Sequence, residues 1–151
     1  MSKKDKDATL CCEVTHSFMP VPLPPDDPRF KQRVENTFRL DPEASERFRC
    51  GHAKELVQAR LTEALQGVQY DVEQARSLAV SIANNIRLDL EQLYLPRYKL
   101  VAHVLISERR DQGLAVGCRF LWDDAKDNFA TATFENQTLV AVAAVFGTYC
   151  E

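Results

Sequence analysis

Alternating apolar and polar positions mark the last third of the chain as sheet. Tyr98, Leu100, Ala102, Val104 and Ile106 alternate with Lys99, Val101, His103, Leu105 and Ser107, which is the two-residue period of a strand. Residues 109–113, RRDQG, read as a hairpin-like turn, where Gly113 takes a positive φ at no steric cost. A second strand is predicted over residues 114–122, followed by the polar loop DDAKDN. A third runs over 129–134 and, after a turn at 135–138, a fourth over 139–149. The last strand is different, because it is apolar on both faces. Val140, Val142, Ala144 and Phe146 point one way, and Leu139, Ala141, Ala143 and Val145 the other. A half-solvated antiparallel strand alternates apolar with polar instead, so this one needs cover on two sides. Helices of the same chain can supply one cover and a partner the second. The pattern therefore points to association through a sheet rather than to chemistry.

Upstream, the period lengthens to that of a helix. Val57, Leu61, Ala64 and Leu65 fall at helical spacing within residues 52–66, with Lys54, Glu55, Arg60 and Glu63 mostly elsewhere around the wheel. Gly67 offers a stop. Asp71 reads as the N-cap of a second helix, and Gln74 three residues later completes a capping-box pattern. Ala75, Leu78, Ala79, Ile82, Ile86, Leu90 and Leu93 form its apolar stripe, which Pro96 ends. Asn84 and Asn85 are poor helix formers inside it, read as a neighbour contact or a solvated face. The order α-α-β-β-β-β predicts an α+β fold, two N-terminal helices packed on a four-stranded antiparallel sheet.

The beginning of the chain lacks either period. Five of the seven prolines lie between Pro20 and Pro28. Proline fixes φ and has no N–H to give a sheet, so this stretch favours an extended form. Residues 1–32 are expected to be an extended or disordered arm, with Phe18, Val21, Leu23 and Phe30 as possible anchors on a partner. Residues 33–151 are expected to be the folded domain. At its start Val34, Phe38 and Leu40 are the residues expected to pin the lead-in to the domain, and Asp41-Pro42 begins a turn or short helix.

Composition narrows the function further. With 151 residues the chain is long enough for one domain with a real core, and its 45% hydrophobic and 27% charged content is ordinary for a globular protein. A net charge of −3 gives no basic face for nucleic acid. No run reaches the ~18 apolar residues of a membrane span, and no apolar segment of signal-peptide length follows the first lysines. A cytosolic setting is expected. Five cysteines, at 11, 12, 50, 118 and 150, are odd in number and irregular in spacing, so no disulfide framework is expected. Cys118, inside a predicted strand, reads as a small buried hydrophobe.

Candidate chemistry finds no foothold. His16, His52 and His103 are far apart, and neither Cys11-Cys12 with His16 nor Cys50 with His52 makes a paired CxxC set. Asp123, Asp124 and Asp127 lack the central glycine and closing glutamate of a calcium loop and read as a solvated turn. The P-loop, GxSxG and HExxH patterns are absent. No catalytic, metal or cofactor residues are expected.

One resemblance is specific. The RYK that opens the first strand, CRFLWD at 118–123, DNFATATFEN at 127–136 and AAVFGTY at 143–149 resemble, in order, the C-terminal half of Tctex-type dynein light chains. ENTFRLDP at 35–42 is similar to the lead-in of the Tctex-two-like, axonemal branch. The resemblance covers roughly residues 33–151. It implies a non-catalytic subunit, a strand-exchanged dimer, and binding of an extended dynein intermediate chain segment at a sheet edge. It further implies pairing with another Tctex-type light chain in a cilium or flagellum; the alternative is a homodimeric cargo adaptor on cytoplasmic dynein. The residues expected at the partner interface are Val116, Gly117, Cys118, Arg119, Phe120, Leu121 and Trp122 of the exchanged strand, with Val140, Val142 and Phe146 in the buried seam.

Overall fold

A computed structural model describes residues 38–93, 95, 97–110 and 114–150. The proline-rich stretch, its expected anchors, the 32/33 boundary, Val34, Pro96 and Gly113 lie outside the described residues. Two helices, α1 (Cys50–Leu65) and α2 (Val72–Glu91), precede three strands, β1 (Tyr98–Glu108), β2 (Asn128–Glu135) and β3 (Leu139–Tyr149). The sheet is antiparallel with the order β1-β3-β2, so the strand that is apolar on both faces is the central one.

Both helices lie on one face of the sheet, α1 over β2 and α2 over β1. Beneath them β3 presents small residues, Ala141 and Ala143, flanked by Leu139 and Val145, all fully buried. Small side chains on the central strand let the helices approach, and Val57, Leu61 and Leu65 of α1 with Ile82, Ile86 and Leu90 of α2 fill the space above. Both helix patterns hold closely. Gly67 takes a φ of 76° just past α1, and the Asp71 carboxylate accepts the Gln74 N–H at 2.9 Å at the start of α2. Arg60 joins the two helices through a two-pronged hydrogen bond to Asp89, one prong at 2.8 Å, and also donates to Glu63. Those carboxylates hold its guanidinium still more firmly in the charged form. Asn84 and Asn85 face outward on α2.

The lead-in is held differently from expectation. Phe38 is 88% exposed and Leu40 is exposed as well. Backbone and ring contacts hold the segment instead. The Tyr149 hydroxyl donates to the Arg39 carbonyl at 3.0 Å, and Pro42 and Phe48 are buried. Phe48 lies on Gly147 of β3 and beside Tyr98, which in turn meets Tyr149 edge-on at 5.5 Å. A Cβ at position 147 would stand 2.6 Å from the Phe48 ring, so only glycine leaves room for it. Gly147→Ala is expected to lower unfolding stability by about 1–3 kcal/mol through overpacking. A denaturation series should show that loss, and Phe48→Leu in the same chain should recover part of it.

Candidate partner-binding face

The face of the sheet turned away from the helices is built by register. Strand partners place Lys99, Val101, His103, Leu105 and Ser107 of β1 beside Thr148, Phe146, Ala144, Val142 and Val140 of β3. Phe129, Thr131, Thr133 and Glu135 of β2 complete it. Val140, Val142 and Phe146 are half-buried there, whereas Ala141, Ala143 and Val145, which alternate with them on β3, are fully buried under the helices. Val101 is 55% and Phe129 42% exposed on either side of Phe146. An apolar face this open on a central strand carries free energy that association can recover.

Residues 114–122 do not form a fourth strand within the chain. Among the described residues the sheet has three strands, and 114–121 carry no regular secondary structure, with every residue exposed. Leu121 is 95% exposed. Cys118 is exposed as well, which corrects the expectation of a buried thiol. The reason is geometric, since among the described residues no strand lies alongside the segment to cover it. Val116, Gly117, Arg119 and Phe120 share that exposure, and Trp122 is half-buried.

This segment has slack. Glu108 ends β1 opposite Leu139, and Asn128 begins β2 opposite Gly147, so the connection must run the length of β3. That distance is roughly 27 Å, which about nine extended residues would span, and the chain spends about twice as many there.

Both roots of the connection are fixed. At the first, the Arg109 N–H donates to the Thr138 carbonyl at 2.8 Å. Its guanidinium bonds the Asn136 carbonyl and pairs with Glu135, both at 2.9 Å. Asn136 organises the β2–β3 turn, its side-chain oxygen accepting the N–H groups of Thr138 and Leu139 while its amide donates to the Val68 carbonyl. At the second root the Asp127 carboxylate accepts the N–H of Tyr149 at 2.7 Å and of Asp123 at 3.1 Å. Lys126 pairs with Asp123, whose pKa its hydrogen bond lowers. The Tyr98 hydroxyl, its pKa raised by burial, donates to the Lys126 carbonyl at 2.9 Å. The acidic loop is thus a turn closed by its own backbone N–H groups.

A cluster of rings joins the segment to its own sheet. Phe120 stacks on Trp122 at 4.7 Å and leans on Phe146 at 4.6 Å, while Phe129 lies 6.1 Å from Trp122 and 6.3 Å from Phe146. Val101, Leu105 and Phe129 were not among the residues predicted for the interface, although they lie on the same face. The alternation of β1 and β2 carries that signal once the register to β3 is known. Among the described residues no group of His, Cys, Asp and Glu side chains is placed to hold a metal. Among them, too, no helix is long and apolar enough to cross a membrane.

With this geometry in view, comparison with known proteins is decisive. Residues 47–148 match the Tctex-1 family. The chain belongs to the Tctex-1 family. It is 38% identical to dynein light chain Tctex-type protein 2B of Danio rerio over 76% of both chains. It is 36% identical to dynein light chain Tctex-type 5-B of Xenopus laevis, over 78% of this chain and 66% of the relative. To dynein light chain Tctex-type 4 of Mus musculus it is 37% identical, over 91% of this chain and 60% of the relative. The Tctex-type resemblance read from CRFLWD and DNFATATFEN therefore holds, and with it a non-catalytic, cytoskeleton-associated dynein light chain. Types 2B, 4 and 5 match to nearly equal degree, so identity alone does not favour one branch. In Tctex-1 terms the family match contains both helices, the whole ring cluster and almost all of the sheet.

Proposed function

We propose that this light chain pairs with a second Tctex-type chain through the outer face of its sheet, exchanging residues 114–122. The pair holds an extended segment of a dynein intermediate chain at a sheet edge. The observation that carries the reading is the exposed, unladdered run 114–121 beside an apolar face that the helices do not cover. An exchanged segment supplies that face with apolar side chains, and its backbone finds the free edge of β2. The strand so added leaves its own far edge open, and an intermediate chain segment extends the sheet there by main-chain hydrogen bonds. Val116, Gly117, Cys118, Arg119, Phe120, Leu121 and Trp122 act as the exchanged element, with Val140, Val142 and Phe146 as the seam.

The setting we favour is an axonemal dynein in a cilium or flagellum, with a different Tctex-type chain as partner. The ENTFRLDP lead-in supports that branch. Residues 1–32 serve as an arm that docks the pair into the larger assembly.

Calorimetric titration of the full chain, alone and mixed with a second Tctex-type light chain, against peptides tiling a dynein intermediate chain tests the reading. One peptide should bind per protomer with a negative heat-capacity change. Absence of binding to every peptide under both conditions would overturn it.

A further inference from the structure

We infer that the ring cluster of Phe120, Trp122, Phe129 and Phe146 is a latch that holds the exchange segment against its own sheet and limits how fast partners are taken up. This rests on the exchange reading above.

Residues 114–121 are exposed throughout, so little along their length restrains them. The exception is at the end near Asp123, where Phe120 lies between Trp122 and Phe146 at 4.7 and 4.6 Å. The contact is closed below by Phe129, which approaches both Trp122 and Phe146. Phe146 sits in the middle strand of the outer face, so the ring lying on it occupies ground that an incoming segment must reach. The Asp127 carboxylate fixes the neighbouring root through Asp123 and Tyr149, which keeps Phe120 and Trp122 within reach of Phe146. A segment pinned at one root and latched beside it must release its rings before it can cross to a partner.

Association then proceeds only from the unlatched fraction, and the apparent association rate falls by that fraction. Aromatic contacts of this kind correspond to about a three- to tenfold shift in population. The same contact reformed on the partner would slow dissociation, so the latch is distinguished by the association rate.

Trp122 is the sole tryptophan, so its fluorescence reports the cluster directly. Concentration-jump relaxation of the full chain, with the second Tctex-type chain added where the homodimer is weak, should give an association rate about three- to tenfold faster for Phe120→Ala than for the parent. Phe146→Leu, which keeps an apolar residue on β3, should accelerate association in the same direction. In the dilute, unassociated chain, acrylamide should quench Trp122 more strongly in Phe120→Ala than in the parent. Unchanged or slower association in both variants, with only dissociation faster, would make the rings a plain interface contact and overturn the latch. So would equal quenching of Trp122 in parent and variant. If no association occurs with either partner, the exchange reading fails, and the quenching comparison still decides whether the rings are latched.

Discussion

Ala143→Asp is expected to abolish the folded chain. Ala143 is fully buried on the helix side of the central strand, with α1 and α2 above it and β1 and β2 on either flank. An aspartate there is both larger than the space and unpaired where water cannot reach it. A loss of about 5 kcal/mol or more is comparable to the whole stability of a domain this size. Circular dichroism should show no cooperative unfolding transition for this variant.

Val142→Asp, one residue away, should behave in the opposite way. Val142 is half-buried on the outer face, where its side chain already meets water in the lone chain. A carboxylate is tolerated there until a partner covers it, and then it becomes an unpaired charge in a desolvated seam. The melting transition should move by only a few degrees, whereas the dissociation constant of the pair should rise at least a hundredfold by order of magnitude. Sedimentation of the two variants side by side reads out the period-two geometry of β3. Should Val142→Asp associate as tightly as the parent, the seam lies elsewhere.

Much of this was legible in local pattern. The bounds of β1 follow from alternation and those of β3 from an unbroken apolar run after a polar turn, and the Asp71 cap and Gly67 stop follow from side-chain and backbone chemistry within a few residues. The apolar character of β3 marked it as a strand in need of cover, and Leu139, Ala141, Ala143 and Val145 take the helices. Contacts distant in sequence were not legible. Nothing near Gly147 announces that Phe48, about a hundred residues earlier, rests on it, and Phe38 and Leu40 looked like anchors because they are apolar.

The run 114–122 shows the limit most clearly. Its β-propensity is real, yet it forms no strand within the chain. Pairing, however, is a property of the neighbour as much as of the segment, and within the described chain no neighbour is present. Cys118 was read as buried for the same reason. Exposure of such a segment follows from what packs beside it, not from its own composition.

Amide hydrogen exchange of residues 114–122 tests the central claim most directly. In the isolated chain diluted until it is monomeric, these amides should exchange at nearly the rate of an unstructured peptide, with slower exchange next to Phe120 and Trp122. In the complex isolated with its native partners, residues 114–122 should become protected by at least about a hundredfold, together with the β2 amides on the free edge. Equal, fast exchange of this segment in both states would contradict the account, because the sheet would then be complete without any second polypeptide.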